Sequence, residues 1–350
     1  MYILSPQVSG SVVNTSNLTL LPTVRLYNIP WRVTRLSATV FGLNVADFLG
    51  SKMQQRMLGR QNIPQFDCVI SLVAQQKYFG LILGRDLARR LNTKWVVYSV
   101  DAIPVPHNWG LNEMMRYNIG RCFRRLIRTC DLFLLSNAQM QNYQARSMPN
   151  FQGRYGVVYT PSRPIYLKMG VDNSSAPVFL YTGGVYRLRR MDVLVNAFRR
   201  FLVDEPLAKI VFVGNSNIEA FEICQDLIST KNVEIYGHIN DLSSFYERAT
   251  ILLDMNADIS NDVFLSSKIV NYLPLKKPIL CISGENSPAR NIFLDDESIL
   301  HCNYKIKDVY RAMRCLASMK SIPQNREKYI EMFSAQRAVQ TLLEAIKTII

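Results

Sequence analysis

Two stretches in the second half of the chain combine glycine, hydroxyl and cationic side chains at spacings that suit a phosphate group. The first is Tyr181-Thr-Gly-Gly-Val-Tyr-Arg-Leu-Arg-Arg-Met-Asp192. Gly183 and Gly184 remove side chains that would keep a ligand away from the backbone, and a helix after them would offer free N–H groups. Arg187, Arg189 and Arg190 add fixed positive charge with paired donors. The same residues would also make a tight turn before a solvated basic helix face, and the stretch is not a Walker loop. The second is Phe264-Leu-Ser-Ser-Lys-Ile-Val-Asn-Tyr-Leu-Pro-Leu-Lys-Lys-Pro-Ile-Leu280. Ser266 or Ser267 can cap a helix there, with Lys268 beside the cap and Asn271 one turn on from Ser267. An ordinary capped helix has that spacing too.

Asp101 follows a β-branched run, Lys94-Trp-Val-Val-Tyr-Ser-Val100. A carboxylate at such a strand end can accept the proton of an attacking hydroxyl, or simply cap the loop before Pro104. His107, in Pro-His-Asn-Trp-Gly, is a weaker candidate, and His301 reads as structural. Three scattered histidines do not make a metal site. Seven cysteines, odd in number and with none in a CxxC pair, argue against a zinc ribbon or a disulfide scaffold. A reducing, cytoplasmic setting is therefore expected, with no metal and no cofactor.

The elements that must position these residues are legible as apolar strands alternating with amphipathic helices. In the first half, Met1–Ser5, Thr23–Tyr27, Phe66–Val73, Lys94–Val100 and Leu132–Leu135 read as strands. Leu36–Met57, Phe79–Leu91 and Met114–Cys130 read as helices. The segment Val157–Ala176 is rich in Pro, Ser and Asn and marks an interdomain crossing. A second alternation follows, with strands at Val178–Thr182, Lys209–Gly214, Val233–Tyr236, Ile251–Met255 and Pro278–Ser283. Helices are expected near Met191–Phe201, Ile218–Ser229, Leu242–Ala249, Ser267–Leu273 and Arg326–Ile350. Continuous apolar strands with helices between them imply parallel sheets covered on both faces. The expected architecture is α/β: two Rossmann-like, doubly wound domains facing a cleft, spanning 1–165 and 166–330. A terminal helical segment, 331–350, would pack back on the first.

Charge is divided unevenly between the halves. Residues 1–175 hold 20 Lys and Arg against 7 Asp and Glu, a surplus of 13, whereas residues 176–350 hold 21 against 20. The first half should therefore face an acidic partner. Met114–Cys130 shows how: Met115, Ile119, Cys122, Phe123, Leu126 and Cys130 share one helical face, and Arg121, Arg124, Arg125 and Arg128 the other. With Arg85, Arg89 and Arg90 on the preceding helix, an anionic membrane surface is one such partner. The arginines lack the interleaved aromatics of a nucleic-acid binder, so nucleic acid is not expected. The N-terminus, MYILSPQVSG, lacks a signal-peptide pattern, and no run has the ~20 apolar residues that cross a bilayer.

"FLYTGGVYRLRRMDVLVNAF" followed by "SSKIVNYLPLKKPILC" resembles the retaining double-Rossmann glycosyltransferases of the large family four, whose second motif runs "PSKxxEYLAxGKPIL". "AKIVFVGNSN", "VEIYGHIN" and "LSSFYERATILLDM" are similar to that family's intervening blocks, in the same order. The resemblance is strong over about residues 176–283 and looser before, in "DCVISLVAQQKYFGLILGRDLARRL", "KWVVYSVDAIP" and "CDLFLLSNAQMQNY". It implies a GT-B fold and transfer from a nucleotide-diphosphate sugar with retention at the anomeric carbon. Gly184 and Arg189, with Ser267 and Lys268, would meet the donor diphosphate, and the Tyr236–Ile239 loop with His238 would border the nucleoside. Asp101 stands where the family presents an acidic residue or histidine. Two positions depart from the pattern: Asn271 replaces the usual ribose-gripping glutamate, and Val263 an acidic residue eight positions earlier. Asn271 can still hydrogen-bond a ribose, without charge assistance.

The function this implies is sugar transfer from a nucleotide sugar to a glycan or lipid-linked acceptor in cell-surface polysaccharide synthesis, without a metal. The alternative is a non-catalytic subunit of the same fold that binds a partner transferase or a glycan; a nucleotide-sugar epimerase ranks lower.

Overall fold

The computed structural model of the protein describes residues 2–3, 19–20, 29–60, 63–75, 77–165, 176–214, 218–319 and 325–350. The chain forms two compact units, Met1–Tyr159 with Val339–Ile350, and Thr160–Ala338. The division falls at Thr160, within the Pro- and Ser-rich crossing, of which residues 166–175 lie outside the described residues. The expected strand at Thr23–Tyr27 also lies outside them.

In the first unit, β1 (Tyr2–Ile3) and β2 (Thr19–Leu20) pair in parallel. They precede α1 (Trp31–Phe41), α2 (Val45–Gly59), β3 (Cys68–Val73), α3 (Phe79–Leu91), β4 (Lys94–Ser99), α4 (Glu113–Ile127), β5 (Leu132–Leu135), α5 (Ala138–Ser147) and β6 (Arg154–Val157). A four-stranded parallel sheet runs β3-β4-β5-β6. β5 is buried throughout, as an apolar run covered on both faces should be. β3 lies at the edge, and its Ile70 and Leu72 are exposed.

The single helix expected over Leu36–Met57 is two helices. Gly42 ends α1 in the left-handed region at φ +68, and a Cβ there would lie 2.1 Å from the Asn118 carbonyl oxygen on α4. Asn44 then restarts the chain as the cap of α2, its side chain accepting from Ala46 N at 2.9 Å. The break is set by a neighbour 76 positions away in sequence. On α4, Ile119, Phe123 and Leu126 are buried and Arg121, Arg124, Arg125 and Arg128 are exposed, as the periodicity requires.

The second unit contains β7 (Val178–Thr182), α6 (Met191–Asp204), β8 (Lys209–Val213), α7 (Gln225–Ser229), β9 (Val233–Tyr236), α8 (Ser243–Arg248) and β10 (Ile251–Met255). These are followed by α9 (Ser267–Tyr272), β11 (Ile279–Ile282), α10 (Pro288–Ile292), β12 (Ile299–Cys302), α11 (Ile306–Ala317) and α12 (Arg326–Met332). The last helix, α13 (Ala335–Lys347), begins in this unit and ends in the first. The final helix expected over Arg326–Ile350 is thus two, α12 and α13, with Phe333 closing α12. The six strands are parallel in the order β12-β11-β10-β7-β8-β9. The order reverses between β7 and β10, and it is outside the carboxyl ends of such a pair that open α/β sheets hold ligands. Phe179, Phe198, Phe201 and Phe212 fill the core between the sheet and α6.

Candidate functional site

Both phosphate-suited stretches begin at this reversal point: the glycine loop leaves β7, and the loop that ends in α9 leaves β10. The backbone geometry at β7 depends on two glycines. Gly183 has φ +111 and donates its N–H to Val213 O at 2.7 Å. Gly214, at φ +143, lies so close that a Cβ on it would sit 2.8 Å from the Gly183 carbonyl. A side chain at Gly214 would force the two strand ends apart, whereas at Gly183 there is room for a Cβ and the cost lies in the positive φ.

Lys268 closes on this loop from α9. A Cβ on Gly183 would meet the Lys268 Cδ at 3.7 Å and its Nζ at 4.0 Å, so the ammonium stands over the glycine backbone. Three contacts put it there. Tyr272, fully buried on the same helix, binds Thr182 at the end of β7, with its hydroxyl 3.0 Å from Thr182 N and 2.8 Å from Thr182 Oγ1. Ser266 caps α9 and accepts from Lys268 N at 3.2 Å. Its hydroxyl donates in turn to the buried Asp254 carboxylate on β10 at 2.6 Å, and Asn256 Nδ2 donates to the other carboxylate oxygen at 3.0 Å. Ser266 is therefore the cap, while Ser267, the residue expected at the diphosphate, is exposed at the first position of the helix.

Arg189 takes a different place from the one its motif implied. It is only 9% exposed and turned into the protein, where it holds the glycine loop in shape. Nη1 donates to Gly184 O at 2.5 Å and to the Tyr181 hydroxyl, and Nη2 donates to the Tyr186 hydroxyl at 2.7 Å. The guanidinium lies 3.9 Å from the Tyr186 ring centroid, a cation–π contact that shields it from water. Each of these oxygens is neutral, so the guanidinium is in no ion pair among the described residues, and Nε has no hydrogen-bond partner among them. Gly184 presents its carbonyl to Arg189 and Tyr181. Arg190, by contrast, is neutralised by Asp192 at 2.7 Å and Asp258 at 3.5 Å, and Arg187 is exposed.

Burial, then the charge of Arg189, brings the Lys268 ammonium down to about 8, with Asp254 partly offsetting both. Its Nζ lies 5.5 Å from the Tyr181 ring, on which Arg189 also bears from 5.9 Å. Two cations held close together beside an open glycine backbone, with Asp254 offsetting them only in part, make a site suited to an anion.

The expected nucleoside residues lie to either side. Asn271 spends its Oδ1 on the Arg163 N–H at 2.9 Å, so only its amide N–H groups are left for a ribose. Val263, at the other departing position, is buried. His238 is exposed and Ile239 half-buried, just beyond the end of β9. β9 lies two strands from β7, about 10 Å at the usual strand spacing.

Asp101 is in the first unit, at the end of β4. Its Oδ2 accepts from Gln75 N at 2.8 Å, and burial raises its carboxyl above the usual aspartate range against that bond. His107 is tied to Glu113, Nδ1 to Oε1 at 2.5 Å, and both are exposed. Among the described residues no cluster of three or more His, Cys, Asp and Glu side chains is placed to hold a metal ion. Nor is any helix of the described residues long and apolar enough to cross a membrane.

Sequence reasoning missed Asp254, Thr182, Tyr272 and the two tyrosines that face Arg189, Tyr181 and Tyr186. One signal was available: a carboxylate in the otherwise apolar strand Ile-Leu-Leu-Asp-Met, which burial obliges to have partners.

No protein-family model matches the sequence, and no curated protein does. Solved structures match over nearly the whole chain. The sucrose-phosphate synthase of Thermosynechococcus elongatus is 14% identical and superposes with a TM-score of 0.67, covering 99% of this chain and 88% of its own. A glycosyltransferase of Rickettsia africae is 13% identical, with a TM-score of 0.63 and coverage of 95% and 85%. HepE of Anabaena, solved in complex with UDP, is 13% identical, with a TM-score of 0.61 and coverage of 86% and 84%. The likeness is one of fold: the chain has the two-sheet, double-Rossmann architecture of the GT-B glycosyltransferases.

Proposed function

We propose that the protein is a glycosyltransferase that takes a sugar from a nucleoside-diphosphate donor held by the Thr160–Ala338 unit. The observation that carries this is the pair of cations, Lys268 and Arg189, at the Gly183 backbone, only partly offset by Asp254, on the reversal point between β7 and β10. Sugar transfer builds negative charge on the departing diphosphate. Positive groups already fixed at that place, in a partly dry environment, lower the barrier without reorganising. Lys268 would touch the diphosphate directly. Arg189 would act through its field and by keeping the loop open, and the exposed Ser267 hydroxyl would lie alongside. His238 and Ile239 would border the base, and the Asn271 amide the ribose. Asp101 of the first unit would accept the proton of the acceptor hydroxyl. No metal is assigned to the leaving group, because the cations supply its charge relief.

The HepE structure was solved with UDP, which makes UDP the first donor nucleotide to try. The positive surplus of the first unit supports a glycan or lipid-linked acceptor presented at an anionic membrane surface, in cell-surface polysaccharide synthesis. The test is release of free nucleoside diphosphate from a panel of sugar nucleotides, with and without membrane lipid extract, in EDTA. Lipid-dependent release supports the proposal, and hydrolysis or transfer seen only with added metal refutes its metal-free form.

A second reading has a specific observation in its favour. Asn271 is already bound to Arg163 N and Val263 is buried, so no carboxylate grips the ribose from these positions. A non-catalytic subunit that binds a partner transferase or a glycan would need none. Nucleotide binding without turnover in the presence of acceptor lipid would select that reading.

A further inference from the structure

The first unit exposes large apolar side chains on α1 and on the adjoining start of α4. On α1, Val33, Leu36 and Val40 repeat at three- and four-residue steps along one outward face, and Phe41, the last residue of the helix, is exposed about 100° round from Val40. Leu36 is 64% exposed and Phe41 70%. Asn118 Nδ2 donates to Thr39 O at 2.8 Å and the Gly42 turn lies against the Asn118 backbone, so this end of α1 adjoins the first turns of α4. On those turns Met114 and Tyr117 are exposed too, the latter 63%. Along the same side of α4, at the same helical steps, follow Arg121, Arg124, Arg125 and Arg128, all exposed. Arg32 and Arg35 flank the apolar face of α1, and α1 carries no acidic residue. Exposed aromatic and aliphatic side chains bordered by arginine on a helix surface are the chemistry of the interface between headgroups and acyl chains. That charge pattern also disfavours a second copy of this surface, because arginine would meet arginine.

We propose that the exposed apolar side chains of α1, with those at the adjoining start of α4, insert into the headgroup layer of an anionic bilayer, with the arginine stripe of α4 on the lipid phosphates beside them. The inference rests on the reading that the first unit works at an anionic membrane, and adds which side chains enter it. Arginines alone would give binding that salt abolishes, whereas inserted Leu36 and Phe41 leave a residue of binding that salt does not remove.

The experiment is flotation of the full chain with phosphatidylglycerol–phosphatidylcholine vesicles and with phosphatidylcholine vesicles, at low and high salt. The wild type is expected to bind the anionic vesicles and to keep part of that binding at high salt. Leu36→Ser/Phe41→Ser should lose about tenfold in partitioning at both salts, while Arg124→Gln/Arg128→Gln should lose chiefly the salt-sensitive part. Both variants change exposed side chains. As a second readout, Leu36→Trp should shift its emission to the blue on adding anionic vesicles, taken as the difference from wild type. Failure of the wild type to bind either vesicle overturns the membrane reading itself. Wild-type binding that the Leu36/Phe41 variant matches, with no blue shift, overturns insertion alone. Self-association in sedimentation velocity that the same variant abolishes would assign the face to a second copy instead.

Discussion

Replacing Lys268 with methionine keeps the length and apolar stem of the side chain and deletes only its charge. Two opposite effects should follow. In the free protein the ammonium is a liability: burial and Arg189 lower it from 10.5 to about 8, a difference of about 3 kcal/mol between folded and unfolded chains. Part of that is recovered by solvent around a side chain that is not fully buried, so ~1–2 kcal/mol is expected. The unfolded chain binds this proton more tightly, so the cost is present in full below pH 8 and fades as pH rises from about 8 to 10.5. Lys268→Met should therefore melt higher than wild type at pH 7, with the gap closing towards pH 10. With ligand the sign reverses. Charge-assisted bonds to a diphosphate are worth about 1.5–3 kcal/mol, so the variant should bind UDP ~10- to 150-fold more weakly. Because a bound diphosphate restores the ammonium, wild-type binding at pH 8.5 should take up roughly half a proton or more, seen by calorimetry in buffers of different ionisation enthalpy. A variant that binds nucleotide as wild type does, or binding without proton uptake, would refute the placement of Lys268 at the diphosphate.

Other changes test the supporting structure. Gly214→Ala places a Cβ 2.8 Å from the Gly183 backbone at φ +143. It should cost at least about 2 kcal/mol in denaturant unfolding of the second unit and abolish nucleotide binding with it. His301 has both ring nitrogens buried without a partner among the described residues, and burial, then Arg290, lowers it to about 4. The unfolded chain takes up this proton first, so stability should fall as pH drops from about 6.5 towards 4, by ~2–3 kcal/mol at pH 4.5. His301→Leu, measured beside wild type by denaturant titration at pH 7 and 4.5, should remove that increment. Asp101→Asn should leave nucleotide affinity unchanged, since the proposed donor residues all lie in the other unit, and lower turnover about a hundred- to ten-thousandfold.

The second unit was the more legible because its central strands β7, β10 and β11 are buried on both sides. Val178–Thr182 and Ile251–Met255 are unbroken apolar runs, and no competing pattern suits them. The split between α1 and α2 was harder, since it is decided by a neighbour. Gly42 breaks the helix because α4 lies against it, which no local spacing records. At the site, the motifs located the loops but not the orientation of their side chains. Arg189 and Arg190 are adjacent and chemically alike. Aromatic rings on Tyr181 and Tyr186 draw one inward, and Asp192 and Asp258 neutralise the other. Ser266 rather than Ser267 is the cap because Asp254, twelve positions earlier, receives its hydroxyl. Such choices are made by tertiary contacts between strand ends that the fold brings together.

The most direct test of a nucleoside-diphosphate site at Gly183 and Lys268 is a thermal-shift panel of UDP, GDP, ADP and CMP in EDTA. A ligand at 100 times its Kd adds about 2.7 kcal/mol, a rise of roughly 5 °C or more. One nucleoside diphosphate should produce that shift in the wild type and lose it in Lys268→Met. If none does, the two cations are not a diphosphate site, and the donor-binding account fails.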